Sequence, residues 1–325
     1  MKKITIDFIA EKSGVSKSTV SRYLNGGYVS DKNRQIISKN IEKYKYIPNK
    51  FAQSLKAKKT GLIGVIIPRF DSDSGQRFLT GLDKSLKELG FRALIFNTGL
   101  SIDQEIEAIM TLYNMKVDGI ILLASSITKK HEQLVEDLTI PLILVGQKYD
   151  KASYIIYDDY KAGGLMAQHF IDKGVDRLYY FGVSEVDRAV GYHRKKGVLD
   201  RVKTREGLDL RLVQTDFSSA RAERAAEKNL LGPGKFYVIA ATDNIAMGII
   251  KYAQKKNLSI PEDLEIIGCG NYPISRLIDP ELTTVDLPFY EAGQLAAQSM
   301  VDLLEGKKDQ VQYKLDVSLV ERSSS

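Results

Sequence analysis

Apolar positions follow two different rhythms along the chain. Near the N-terminus they recur at helical spacing: Ile6, Ile9 and Ala10 on a first segment, Val20 and Leu24 on a second, and Ile36, Ile37 and Ile41 on a third. Thr5 and Ser16 stand where N-caps belong, since a hydroxyl there accepts from an otherwise unpaired helix N–H. Gly14 suits the positive φ of a tight turn, and Asn25-Gly26-Gly27 stops the second helix. Two short helices joined by such a turn predict a helix-turn-helix, with the third helix following Ser30. Ala10 is small where two helices must cross, and Val15, Val20 and Leu24 supply the buried side. Lys17, Ser18, Ser21 and Arg22 are then left outward on one face.

From residue 61 the rhythm changes to short apolar runs alternating with amphipathic segments. The runs at 62–67, 92–97, 119–124, 141–145, 154–157, 177–183, 209–215, 236–241, 264–269 and 283–287 predict strands. Helices are expected near 75–89, 102–115, 129–138, 160–173, 189–203, 219–230, 244–256 and 289–305. Such alternation predicts parallel sheets covered by helices. These strands exceed one comfortable sheet, so the length suits two similar lobes. No GxGxxG or P-loop stands at a strand–helix junction.

Charge divides the chain at the same place. Residues 1–60 hold 14 Lys and Arg against 4 Asp and Glu, a net of +10, whereas the whole chain of 325 residues carries only +6. The remainder is therefore at −4. A basic head on a mildly acidic body predicts that the head meets a polyanion. No apolar run approaches the ~20 residues of a membrane helix, and the polar start argues against a signal peptide. A cytoplasmic protein without membrane attachment is expected. The one cysteine, Cys269, excludes an internal disulfide and a cysteine-based metal site.

The residues Val15-Ser16-Lys17-Ser18-Thr19-Val20-Ser21-Arg22-Tyr23-Leu24-Asn25, with Tyr46-Ile47-Pro48-Asn49 and Ala52-x-x-Leu55, closely resemble the DNA-binding head of the lactose repressor (LacI/GalR) family. The resemblance implies a small all-α helix-turn-helix domain at 1–47 and a hinge helix and linker at 48–59. It further implies a two-lobed, periplasmic-binding-protein-like α/β domain at 60–325. One lobe would comprise about 60–158 and 287–317, the other about 159–286 and 318–325. Lys17, Ser18 and Arg22 would touch base edges. Thr5, Ser16, Ser21 and Asn25 would serve the backbone side, with Tyr46 and Asn49 assisting. Leu55 would be wedged into the minor groove at the centre of a palindromic operator, with a CG step there. The implied partners are double-stranded operator DNA, a second copy of the chain, and a small sugar or sugar phosphate.

Ligand groups are expected at strand ends facing the other lobe. They are Arg69, Asp71, Ser72 and Ser74 after the first strand, Gln147 after the fourth, Arg194, Asp243, Asn271 and, at the last crossing, Phe289. Paired hydrogen-bonding groups with Arg and one aromatic suit vicinal hydroxyls. Asp243 also reads as a helix N-cap, and Arg69 as a partner of Asp71 or Asp73. Likeness to Gram-positive sucrose operon repressors, with trehalose-6-phosphate repressors next, implies a sugar that acts as inducer. Enzyme chemistry lacks support: His131, His169 and His193 are far apart in sequence, and Asp158-Asp159 has no second carboxylate pair. No catalytic residue, metal or cofactor is expected.

Overall fold

The computed structural model describes residues 4–46 and 59–325, and the chain divides into two compact units after Thr60. The first unit holds helices α1 (Ile6–Ser13), α2 (Lys17–Leu24) and α3 (Asp31–Lys43). Both caps expected from the sequence form: Thr5 accepts from the Phe8 N–H at 3.3 Å and Ser16 from the Thr19 N–H at 3.2 Å. Gly14 ends α1 at φ 63°, a left-handed conformation that costs a residue with a Cβ. Ile9, Ala10, Val20, Val29 and Ile37 form the core. Val15 and Leu24 reach only its edge and are half-buried.

The second unit holds two six-stranded sheets. The first has the order β11-β5-β4-β3-β1-β2, from Gln312–Leu315, Ser153–Tyr157, Leu142–Val145, Gly119–Leu123, Leu62–Ile67 and Arg92–Asn97. The second has the order β12-β10-β9-β8-β6-β7, from Ser318–Val320, Thr283–Asp286, Leu264–Cys269, Phe236–Ala240, Arg177–Gly182 and Asp209–Gln214. All pairings are parallel except β10 with β12. Central strands such as β1 and β9 are apolar almost throughout because helices cover both faces.

Helices α4 (Asp73–Glu88), α5 (Ile102–Asn114), α6 (Lys129–Asp137) and α11 (Phe289–Leu304) flank the first sheet. The second carries α7 (Asp159–Asp172), α8 (Lys195–Val202), α9 (Ser219–Asn229) and α10 (Asp243–Lys255). The chain thus passes between the sheets after β5, after β10 and between β11 and β12. Lys314 Nζ meets Asp158 Oδ2 at 2.6 Å at these passages, and Lys161 pairs with Asp316.

Three elements depart from the sequence expectation. Strands β11 and β12 lie at sheet edges with one neighbour each, so their residues alternate in exposure or stay half-exposed and give no apolar run. The helix expected over 189–203 is instead a π-helical segment, Arg188–Arg194, followed by α8. Tyr192 N donates to Asp187 O at 3.1 Å, five residues back. Among the described residues no helix is long and apolar enough to cross a membrane.

Candidate nucleic-acid interface and effector cavity

In the first unit, Ser16, Lys17, Ser18 and Arg22 are exposed along α2 and Ser21 is half-buried beside them. Lys17 Nζ lies 2.9 Å from Asp7 Oδ2, an exposed pair worth at most about 1 kcal/mol and easily exchanged for another anion. Ser16 Oγ is 2.8 Å from both Ser18 Oγ and Thr19 Oγ1, so one hydroxyl cluster opens the helix. Asn25 is the exposed C-cap of α2, and the exposed Thr5 caps α1. Burial, and then Asp7, push the half-buried Tyr46 phenol above its ordinary value, so it stays a donor at neutral pH. Asn49 and Leu55, with the hinge segment, lie outside the described residues.

The second unit has a cavity of about 190 Å³ between its two sheets, at the carboxyl ends of β1, β3, β4 and β9. Arg69, Ser72, Ser74, Gln147, Arg194 and Phe289 all line it, brought together from positions up to 220 residues apart. Ser72 caps α4 by accepting from Gly75 N, and its Oγ lies 2.9 Å from Ser74 Oγ. Gln147 Nε2 donates to Ser125 O at 3.0 Å. Arg69 Nε is 3.6 Å from Asp71 Oδ1, and its guanidinium sits 5.7 Å from the Phe217 ring centre across the cleft.

Arg194 is buried and almost wholly committed. Its Nε donates to Asp159 Oδ1 at 3.0 Å, its Nη2 reaches the same oxygen, and its Nη1 reaches Ala241 O. Desolvation opposes its charge, but the negative groups around it outweigh that and raise its pKa. The contact between α7 and the segment carrying Arg194 is close: a Cβ on Gly163 would stand 1.9 Å from Arg194 O. Asp187 also lines the cavity; burial raises its carboxyl pKa although it accepts from Val190 N at 2.8 Å. Burial pushes the Cys269 thiol up to about 12, so it remains protonated in the wall.

Three expected ligand groups do not reach the cavity wall. Asp71 sits in the loop with its side chain 83% exposed, because the chain turns outward before Ser72 starts α4. Asp243 is the first residue of α10 rather than its cap, which is Thr242. It is fully buried and accepts from Tyr272 N at 2.7 Å and Thr284 Oγ1 at 2.6 Å, so both oxygens are used internally. Burial lifts its carboxyl to about 6. Asn271 has a left-handed φ of 48°, which turns its amide away to Asp286 Oδ1 and Arg322.

Sequence reasoning missed Ser125, Asp187, Tyr272 and Arg77. Ser125 follows β3 and could have been found by the strand-end rule that found Gln147. Asp187 signals itself only as a cap. Nothing local marks Arg77, whose Nη1 donates to Gly270 O and Asn271 O at 3.1 and 3.0 Å on the facing lobe. His169 is structural, with Nε2 3.1 Å from Ser325 Oγ.

A helix-turn-helix with an exposed donor face, joined in one chain to a two-lobed sensor with a cavity between its sheets, defines a ligand-responsive DNA-binding regulator. Comparison with known proteins supports that class. The profile of bacterial regulatory proteins of the lacI family matches residues 5–49, and that of a periplasmic binding protein-like domain matches 167–325. A sucrose operon repressor of Staphylococcus xylosus is 34% identical over 95% of this chain and 96% of its own. A ribose operon repressor of Lactococcus lactis is 31% identical over 90% of this chain and 89% of its own. In fold, the lac repressor dimer bound to operator and an anti-inducer matches with a TM-score of 0.88 over 99% of both chains, at 22% identity. The chain belongs to the lacI family of bacterial regulatory proteins. These relatives are transcriptional regulators, not enzymes.

Proposed function

We propose that the protein is a cytoplasmic repressor of a sugar-utilisation operon, one that binds a palindromic operator as a homodimer and is released by a sugar or sugar-phosphate inducer. The observation that carries this reading is the pairing of an exposed Lys17–Ser18–Arg22 face with a cleft lined by Arg69, Gln147 and the Arg194–Asp159 pair. Arg22 and Lys17 donate to base edges, while Ser16, Ser21 and Asn25 hold phosphates with help from Thr5, Tyr46 and Asn49. Leu55 enters the minor groove between two half-sites. One head reads a half-site of a few base pairs, and two-fold pairing provides specific affinity.

Sucrose or a close relative is the effector favoured here, because the sucrose operon repressor shares 34% identity along nearly the whole chain. A trehalose-6-phosphate effector is the second reading. The inducer acts by binding the low-affinity lobe arrangement more tightly. Fluorescence anisotropy with palindromic DNA in rising salt, with and without sucrose, fructose, sucrose-6-phosphate, trehalose-6-phosphate and purines, tests the whole reading. Steep loss of binding with salt and release by one of the sugars is expected. Absence of DNA binding at any salt would leave a sugar-binding protein without a DNA function.

A further inference from the structure

Behind the cavity wall of the first lobe lies a buried polar relay. Glu105 on α5 and His131 on α6 are both buried beside a core cluster made mainly of Ile, Leu, Val and Ala. His131 Nδ1 accepts from Thr128 N at 3.3 Å and lies 2.9 Å from Thr128 Oγ1. That nitrogen is therefore unprotonated, and the ring proton resides on Nε2. Nε2 lies 3.2 Å from Glu105 Oε2, within ion-pair distance but not in hydrogen-bonding geometry, and both atoms are buried without a hydrogen-bond partner. The other carboxyl oxygen, Oε1, accepts from Ser125 Oγ at 3.2 Å. Ser125 belongs to the cavity wall, and its carbonyl is taken by Gln147 Nε2. A carboxyl group this deep works against folding unless it is held.

We propose that Glu105, held by His131, is a positioning residue that sets the hydrogen-bond polarity of the effector site. With its proton committed to Glu105, Ser125 Oγ can only accept. One N–H of Gln147 Nε2 is committed to Ser125 O, which fixes the amide so that Oε1 is offered as an acceptor beside the remaining N–H. Asp159 and Asp187 add carboxylates to the same cavity, and Arg194 is already spent on Asp159. This wall therefore takes groups that donate, such as the ring hydroxyls of a sugar. Ser125 and the carboxylates disfavour a phosphoryl group, whose oxygens accept, and Arg69 marks the end of the cavity that suits one. The inference rests on the sugar-effector reading above.

Two measurements on the full chain decide it. First, ¹⁵N-histidine spectra without any sugar should show His131 as the neutral, Nε2-protonated tautomer; there are only three histidines to assign. A cationic or Nδ1-protonated His131 overturns the relay. Second, sucrose and fructose are titrated into the wild type, Glu105→Gln, Ser125→Ala and the double variant. Each single change should weaken the bound sugar roughly tenfold, and the double variant should be no weaker than the worse single. Unchanged affinity in Glu105→Gln, or losses that simply add, overturn the proposal. Should Glu105→Gln fold poorly, Ser125→Ala removes the acceptor while leaving both Glu105 and His131 in place, and must show the same loss. If neither sugar binds the wild type, the sucrose reading fails, while the His131 tautomer still decides the relay.

Discussion

Arg77 reaches across the cleft and donates to the carbonyl of Asn271 at 3.0 Å, with the Gly270 carbonyl at 3.1 Å on the same nitrogen. Its guanidinium also stands 5.7 Å from the centre of the Phe289 ring, which lines the cavity. One side chain of the first lobe thus holds a loop of the second in the arrangement described here. Hydrogen bonds from a charged donor contribute about 1.5–3 kcal/mol each where water is partly excluded. Arg77→Met should therefore loosen this lobe arrangement. Amide exchange of the peptide spanning 268–276 should quicken in the variant, and exchange at the wild-type rate would show that the contact holds nothing.

Removing Arg194 should be far more costly than its position in a cavity wall suggests. Arg194→Met strands Asp159, a buried carboxylate, and should destabilise the second unit by about 3–5 kcal/mol. Adding Asp159→Asn should recover part of that loss. Denaturant midpoints of the single and double variants give the comparison. A double variant as unstable as Arg194→Met would show that the ion pair is not what Arg194 contributes.

Asp243 should make the second unit pH-sensitive in an unusual direction. Its carboxyl is pushed up to about 6 from an ordinary 3.8, so the folded chain binds this proton more readily than the unfolded chain. The contribution to stability is full below pH 3.8 and is lost as pH rises through 6. Its size is about 3 kcal/mol. Asp243→Asn removes that slope. The stability difference, wild type minus variant, should therefore fall between about pH 4 and pH 7.5. A difference constant across that range would contradict the displaced carboxyl.

The head separates reading from folding. Arg22→Ala should cost about 1–3 kcal/mol of operator affinity and relax base preference, with helicity unchanged. Val20→Ala, by contrast, hollows a core of five buried residues at a cost of about 2–5 kcal/mol. Binding to every sequence should then fail together, while melting of the second unit stays put. Anisotropy on matched and scrambled DNA, with calorimetry of each variant, distinguishes the two.

Much of this architecture was legible in the sequence because its signals are local. Thr5, Ser16 and Gly14 announce the helix ends of the head by their own chemistry, and strands such as Leu62–Ile67 announce burial on both faces by unbroken apolarity. The two edge strands past residue 311 gave no such run. The cavity was legible where a strand end points into it, as at Arg69 and Gln147, and at Arg194 through the family resemblance. It was misread at Asp243 and Asn271, where tertiary neighbours claimed the side chains first. Arg77, Glu105 and His131 sit mid-helix or at an ordinary helix start. Their partners are set by packing between elements far apart in the chain, so no local pattern marks them.

Each sheet recruits one strand from beyond residue 311: Gln312–Leu315 completes the first and Ser318–Val320 the second. Ser324 is fully buried, accepting from Thr283 N and donating to Ile266 O. During synthesis, then, neither lobe can close until almost all of these 325 residues have left the ribosome. The head carries its own core within the first 46 residues and needs none of that later chain. A nascent polypeptide therefore passes through a long interval in which the helix-turn-helix head has its complete core and the two-lobed unit does not yet exist.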